Sequence, residues 1–475
     1  MHFKCIDTIN IGLSRQTSIV TYVTEQAFYP FYFCVLKIGI MRLLSIFLVS
    51  ILGFLSVEAQ EMPTQIQLEE ALSLAQKANQ QIKIAQIDQQ IASANVKQTE
   101  AIWLPQLNLS YTAMNTNNPL NAFGFKLQQA NVTAADFNPA LLNNPGATPN
   151  YLTQLSLQQP IINMDMLQMR KAAEQQVQIS SLQTKRTEEA VKMQVTQLYL
   201  QLNFLYQALD VVKSALITSQ SIYQFTKNRF DQGLMQKSDL LNVEVQVKNT
   251  ETRLNELYSN IAQTSDQLGL MMNKPQGVIY KTTPVSLGFA KEQLQAIPID
   301  RSDLKAMQTG LGMYDIAIKG SKMSWLPRLN AFANYQLNDR KALGFNAGSY
   351  FAGIQLSWDI IKGNQTKNKI AIQTIEKAKL QEQLASRVNQ EQTELQNTIR
   401  KIKDARYKYQ QLETSIAQAD ESLRILQNRY QQGLVSTNDI LLAQTQLSQQ
   451  KLQQAEAKLM EQAAINYYEF LTTVK

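Results

Sequence analysis

The chain has very little cysteine and histidine, and what it has lies close to its N-terminus. Both cysteines, Cys5 and Cys34, and the single histidine, His2, fall within the first 40 of 475 residues. Beyond that segment the sequence therefore offers no disulfide framework and no thiolate nucleophile. It also lacks the usual general base and the commonest transition-metal ligand. We predict no enzyme activity, no cofactor and no metal site.

Glycine, proline and aromatic residues are scarce as well. The chain contains 17 glycines and 12 prolines, and aromatic residues make up 8% of it. This composition favours long helices with polar faces over compact, loop-rich domains. The net charge is +7, but no block of basic residues carries it. A nucleic-acid partner is therefore not expected.

A mostly apolar run follows a second possible start at Met41. Met41 and Arg42 precede this 13-residue run, and a segment rich in small residues follows it up to Ala59. This layout predicts a signal peptide at 41–59 with cleavage after Ala59. The alternative is a transmembrane anchor, for which 13 residues are too short. Residues 1–40 are then expected to be translation from an upstream start or an extended leader.

A fourteen-residue motif occurs twice, 200 positions apart. It reads NRFDQGLMQKSDLL at 228–241 and NRYQQGLVSTNDIL at 428–441. A shorter pair, WLPQLN and WLPRLN, precedes the two copies. The sequence therefore predicts an internal duplication. We place the first repeat at 60–272, the second at 299–475, and an irregular linker at 273–298.

Each repeat contains two segments in which polar and apolar residues alternate, which is the pattern of a strand with one apolar face. These segments predict β-hairpins at 105–160 and 327–360, with loops at 115–150 and 339–349 and a preceding helix over 66–101. Strands of roughly 8–11 residues match the length that crosses an outer membrane, although ordinary sandwich strands remain the alternative. Four strands cannot close a membrane barrel, which needs about eight. A membrane-spanning sheet would therefore require several chains.

Two segments without proline, from about 164 to 230 and from about 366 to 430, predict helices on the order of 100 Å long. Between Leu395 and Tyr430 the apolar residues recur with a mean spacing of 3.5. This spacing is the coiled-coil period. Glycine accepts the left-handed conformation that ends a helix. Gly233 and Gly433 therefore predict the turns of two antiparallel helical hairpins.

A secreted chain with two repeats of helix, β-hairpin and coiled-coil hairpin resembles the TolC-like outer-membrane efflux family. The residues LEEAL at 68–72 and the motifs around Gly233 and Gly433 carry this resemblance, which covers nearly all of 64–475. It implies a homotrimer that forms a 12-stranded β-barrel in outer-membrane lipid and a periplasmic α-helical barrel. It also implies a passive exit duct for a tripartite efflux pump or a type I-like export system, served by a periplasmic adaptor and an inner-membrane pump.

The resemblance also implies functional residues at the two hairpin turns. The positions expected to meet the adaptor are Arg229, Gly233, Leu234, Arg429, Gly433 and Leu434. Asp239 and Asp439 match positions that line the closed entrance, and Leu442 stands where a second acidic residue would double that ring.

The same residues have plainer explanations. The glycines end helices, the arginines lie near helix C-termini and the aspartates complement helix N-termini. Ser238 or Asn438 can cap the helix that follows each turn.

Two other functions compete with an export duct. The first is a stand-alone porin that admits nutrients, and the second is a structural coiled-coil protein of the envelope. The polar faces of the predicted strands argue against the structural protein. The C-terminal residues 469–475 continue a helical pattern, whereas an ordinary porin ends in an aromatic strand.

Overall fold

The computed structural model describes residues 63–288 and 296–474. The predicted leader at 1–40, the signal peptide at 41–59 and its cleavage after Ala59 lie outside these residues. So does part of the linker predicted at 273–298. None of the helices within the described ranges combines the length and the hydropathy that a bilayer span requires.

The described chain contains two similar series of elements, of which the first has additional short elements. The first series comprises β1 (Thr64–Ile66), α1 (Leu68–Ala78), α2 (Gln80–Gln98), β2 (Gln106–Thr116), α3 (Pro119–Gln128), α4 (Pro139–Asn143), β3 (Thr148–Ile162), α5 (Met164–Asp231) and α6 (Lys237–Met271). After β4 (Tyr280–Thr282), the second comprises α7 (Ser302–Met323), β5 (Arg328–Asp339), β6 (Ala347–Ser357), α8 (Gln365–Gln431) and α9 (Thr437–Thr472). The predicted fold class, mainly α with a duplicated helix–β-hairpin–long helical hairpin, is confirmed.

The first helical segment is interrupted, so the prediction of one helix over 66–101 is wrong. Asn79 has φ −60° and ψ 132°, which is not helical. Its side-chain oxygen accepts hydrogen bonds from the backbone N–H groups of Gln81 at 2.9 Å and Ile82 at 3.4 Å. Asn79 therefore ends α1 and caps α2. The apolar stripe continues across the break, which is why the sequence pattern did not reveal it.

The four long strands form one antiparallel sheet in the order β2-β3-β5-β6. The strand β3 is 15 residues long, which exceeds the 8–11 expected from the sequence. The predicted loop at 115–150 begins after Thr116 and contains α3 and α4. Because β3 pairs with β5, the hairpins of the two repeats join into a single sheet whose edge strands are β2 and β6.

The two faces of this sheet differ in polarity. On one face the register places Leu109 opposite Leu155 and Leu155 opposite Tyr335. On the other face Gln154 lies opposite Gln336, and Gln336 Nε2 donates to Gln154 Oε1 at 3.0 Å. All of β6 except its first residue is exposed. The sheet is therefore amphipathic, with an apolar surface that the described chain leaves in contact with solvent.

The helices α5 and α8 contain 68 and 67 residues and hold the sheet and the hairpin turns at opposite ends. The apolar spacing along α8 gives a buried seam, with Leu395, Ile402 and Tyr430 each at most 2% exposed. A second core lies where α1 packs on α5. There Tyr199 is fully buried, and its hydroxyl donates to the carbonyl oxygen of Ile66 at 3.1 Å. Packing along their length stabilises helices that are far longer than usual.

A buried ionic cluster joins α7 to α8 and α9. Arg301 is 0% exposed, and its Nε and Nη2 donate to the two carboxylate oxygens of Asp303 at 2.7 and 2.8 Å. Its Nη1 donates to the carbonyl oxygen of Leu471 at 3.0 Å, and its Nη2 also contacts Glu391. The guanidinium thus has partners on all sides, as a buried charge requires.

Acid should weaken this cluster. Burial by itself raises the pKa of Asp303, but the hydrogen bond from Arg301 and the charges of Arg186 and Arg301 outweigh it, so the pKa lies below its ordinary value of 3.8. A lowered folded-state pKa contributes stability above about pH 3.8 that is lost as the pH falls further. We expect the thermal midpoint of the purified protein to fall in that range, and the fall to be smaller in Asp303→Asn. Asp315→Asn, an exposed carboxylate, serves as control; an undiminished fall in Asp303→Asn would contradict the assignment.

Candidate functional site

The two helical hairpins turn at glycines in the left-handed conformation. Gly233 has φ +75°, and its N–H donates to the carbonyl oxygen of Phe230 at 2.8 Å. The N–H of Leu234 donates to the carbonyl oxygen of Arg229 at 2.8 Å. Gly433 has φ +76°, and in the second copy the N–H groups of Gly433 and Leu434 donate to the carbonyl oxygens of Tyr430 and Arg429, both at 2.9 Å. This arrangement satisfies the last carbonyls of each long helix and reverses the chain.

Each turn exposes a large apolar side chain. Leu234 is 67% exposed and Leu434 is 68% exposed. Both leucines follow a turn glycine directly, so the repeat presents the same glycine–leucine pair twice. An apolar side chain held in solvent by a rigid turn is suited to contact another protein.

A cluster of hydroxyl groups lies just inside the turns. The Tyr430 hydroxyl is 2.7 Å from Thr226 Oγ1 and 3.1 Å from Thr437 Oγ1, and all three residues are at most 2% exposed. This cluster was not predicted from the sequence. Its one signal there was the change from Phe230 to Tyr430 between the copies, because a buried tyrosine hydroxyl usually needs a partner.

The two arginines of the repeat are not equivalent in the structure. Arg229 Nη2 donates to the carbonyl oxygen of Gln431 at 3.0 Å, and its guanidinium carbon lies 5.0 Å from the centre of the Phe225 ring. Arg229 thus lies beside Gly433, in the other copy of the motif. Arg429 is exposed. The structure brings Arg229 and Gly433 together but does not bring Arg429 to Gly233 within the chain.

The aspartates also differ between the copies. Asp439 forms a capping box with Ser436, because the Ser436 backbone N–H and hydroxyl donate to Asp439 Oδ2 at 3.0 and 2.7 Å. These hydrogen bonds lower the pKa of Asp439 below its ordinary value of 3.8. In the first copy Gln236 is the residue before the helix, and its side chain does not cap. Asp239 is partly buried at the start of α6, whereas Asp439 is exposed.

The predicted helix caps at Ser238 and Asn438 are therefore wrong. The capping positions are Gln236 and Ser436, two residues earlier in each copy. The Ser238 hydroxyl donates to Gln236 Oε1 at 3.3 Å instead of to the helix backbone. In the described ranges of the chain, no group of three or more His, Cys, Asp and Glu side chains is arranged to hold a metal ion.

Comparisons with known proteins agree with this architecture. The sequence model described as outer membrane efflux protein matches residues 71–274 and 294–467. A search among curated proteins gives no significant match.

Several solved structures have a similar fold. The CmeC outer membrane channel of Campylobacter jejuni is 16% identical with a TM-score of 0.71, covering 85% of this chain and 85% of that one. The outer membrane protein VceC of Vibrio cholerae is 14% identical with a TM-score of 0.70, covering 86% and 97%. CusC, whose structures concern folding and transmembrane channel formation, is 16% identical with a TM-score of 0.71, covering 86% and 92%.

Proposed function

This chain belongs to the outer membrane efflux protein family, and from that membership we propose that it is the exit duct of a tripartite efflux pump or of a type I-like export system. The protein is an outer-membrane efflux channel with a helical extension into the periplasm. As a duct it would be passive, and an inner-membrane pump would drive the export. A periplasmic adaptor would couple the pump to the hairpin turns.

The amphipathic sheet carries the proposal. It has four strands of 11 to 15 residues and is attached to helices on the order of 100 Å long. Within the described residues neither β2 nor β6 pairs with a further strand at its outer edge. A four-stranded sheet with an exposed apolar face is stable in a membrane only if its edges are paired. Three chains in a homotrimer would supply twelve strands and close the barrel in outer-membrane lipid.

We assign adaptor docking to the outer surface of the two turns. Leu234 and Leu434 are the exposed apolar side chains there, and Gly233 and Gly433 set the backbone that presents them. Arg229 and Arg429 lie in the last turns of the two long helices, and each accepts a hydrogen bond at its carbonyl oxygen from the N–H of the following leucine. The glycine–leucine pairs therefore form two similar surfaces per chain, and a trimer would present six of them to the adaptor.

Charging the two leucines should uncouple the adaptor. We expect the double variant Leu234→Glu/Leu434→Glu to lose most of the adaptor captured by crosslinking in cells, because a carboxylate would be desolvated at an apolar contact. Mass spectrometry of the captured material identifies the adaptor. Leu120→Glu in α3 is the matched control, since Leu120 is 81% exposed but lies beyond the sheet.

Equal capture by the double variant and the wild type would contradict docking at the turns. The mass of the detergent-solubilised protein is measured on the same samples. A particle with three times the mass of one mature chain is expected for all three proteins, and a monomer would contradict the shared barrel.

The aspartates of the repeat are proposed to line the entrance of the duct. A ring of carboxylates at a narrow pore concentrates cations. In planar bilayers we expect Asp239→Asn/Asp439→Asn to weaken the block of single-channel current by multivalent cations several-fold. Asp315→Asn in α7 should not change the block. A normal block in the double variant would reduce Asp239 and Asp439 to helix-start residues. The exposed Leu442 would add no carboxylate to such a ring.

A further inference from the structure

The contacts between the two hairpin turns of one chain are not symmetric. Arg229, from the first copy of the motif, donates to the carbonyl oxygen of Gln431 in the second copy. A Cβ atom placed on Gly433 would lie 3.0 Å from Arg229 Nη1, so the absence of a side chain makes room for the guanidinium. Thr226 of the first copy bonds the Tyr430 hydroxyl of the second. First-copy side chains therefore dock onto the second-copy turn.

Among the described residues of one chain, the reverse set of contacts is not made. Its members are the residues 200 positions away from those above: Arg429 and Leu426 in the second copy, and Asp231, Gly233 and Phe230 in the first. In the part of the chain that the structure describes, a Cβ atom placed on Gly233 would have nothing within 4 Å. Arg429 is exposed there, whereas Arg229 is partly buried. In one chain, the glycine of the second-copy turn thus has an arginine packed against it, and the glycine of the first-copy turn does not.

We propose that Arg429 of one subunit docks on the first-copy turn of the next subunit, against Gly233, and donates to the main-chain carbonyl of Asp231. The inference rests on the homotrimer of the proposed function. Around the ring of six turns, three contacts of this kind between chains would alternate with three Arg229 contacts within chains. Arg429 is then a subunit-joining residue at the mouth of the duct, in addition to any part in adaptor binding.

The residues that differ between the copies fit this assignment. The acceptor residue changes from Gln431 to Asp231, which adds a carboxylate beside the incoming guanidinium and strengthens the attraction. The hydroxyl pair Thr226 and Tyr430 becomes the apolar pair Leu426 and Phe230. Both members of that pair change together, so each interface is matched in polarity. Leu426 and Phe230 are only partly buried in one chain, which leaves apolar surface for the neighbour to cover.

Pairs of introduced cysteines test the contact in the purified protein without any adaptor. Asp231→Cys/Arg429→Cys probes the contact between subunits, and Arg229→Cys/Gln431→Cys probes the observed contact within the chain. Cys5→Ser and Cys34→Ser give a background without other thiols. Each protein is treated with a short bifunctional methanethiosulfonate reagent, which spans the reach of the arginine side chain that was removed.

The two pairs should give different products on a denaturing gel. We expect most of the Asp231→Cys/Arg429→Cys protein to run as covalent dimers and trimers, and the Arg229→Cys/Gln431→Cys protein to run as a monomer with an internal link found by peptide mass. If only the second pair reacts, in a protein whose native mass is that of a trimer, the proposal is overturned and the proposed function is unaffected. A native mass of one chain would overturn both.

Discussion

Gly433→Val is expected to abolish export while leaving the amount of protein in the outer membrane close to that of the wild type. Gly433 has φ +76°, and a β-branched residue in that region costs on the order of 1–2 kcal/mol. The new side chain would also meet Arg229, whose Nη1 lies 3.0 Å from the position of a Cβ. The turn would have to shift, and with it the surface that Leu434 presents. Export is measured as accumulation of compounds to which a deletion strain is sensitive.

Gly277→Val separates damage at the turn from general backbone strain. Gly277 has φ +90°, and among the described residues no atom lies within 4 Å of the place that a Cβ would occupy. It lies between α6 and β4, away from both turns, so it carries similar strain without displacing a guanidinium. Export that is intact in Gly277→Val and lost in Gly433→Val would place the function at the turn. Normal export by Gly433→Val would remove the turn from the mechanism.

The duplicated motif explains how much of this site the sequence predicts. A glycine at the same place in two copies, each after a long apolar repeat without proline, indicates two helix ends. Both glycines do adopt the left-handed conformation, and the helices before them differ in length by one residue. These features depend on local conformation and on spacing along the chain, which a single sequence records directly.

The contacts between the two copies could not be predicted from the sequence. The arginines at 229 and 429 occupy the same position in the repeat, so the sequence treats them alike. Only the packing of one hairpin against the other places Arg229 on the carbonyl oxygen of Gln431 and leaves Arg429 exposed. The same holds for Thr226 and Tyr430, which are not equivalent positions and are 204 residues apart. No periodicity along the chain encodes which unlike positions meet.

The starts of the helices could be predicted from the sequence only in part. Ser436 and Asp439 have the spacing of a capping box, which is visible in the sequence. Asparagine caps helices as readily as serine does, so the sequence alone does not decide between Asn438 and Ser436. At Asn79 the apolar stripe runs through the break, and the side chain that ends α1 also anchors to Met271, through Nδ2 donating to its carbonyl oxygen at 2.9 Å. That partner is far away in sequence, so the break depends on tertiary structure.

Arg301→Ala should give the largest loss of stability among the single substitutions considered. The side chain is fully buried, and its removal would take away a buried cation that Asp303 and Glu391 share. Asp303 would keep only Arg186 at 3.8 Å and Arg387 at 4.0 Å, and Glu391 would keep the half-exposed Arg387 at 2.6 Å. Leaving a buried charge without any partner costs about 3–5 kcal/mol, and the remaining arginines place the expected loss toward the lower end of that range. We expect a lower thermal midpoint for the purified protein and less protein in the outer membrane. Arg424→Ala is the control, because its bond to Glu421 is exposed and exposed pairs contribute little.

Two causes of this loss of stability, weakened pairing of the carboxylates and lost packing of the side chain, can be separated. If the weakened pairing of the carboxylates dominates, the triple variant Arg301→Leu/Asp303→Asn/Glu391→Gln should be more stable than Arg301→Leu alone, because neutral amides replace the charges that lost their buried partner. If lost packing dominates, the added substitutions should only lower the stability further. A midpoint for Arg301→Ala equal to that of Arg424→Ala would show that the cluster does not hold α7 to the long hairpins. The expected order is wild type, triple variant and then Arg301→Leu, because the guanidinium chiefly stabilises two carboxylates that the fold holds close together and largely out of solvent.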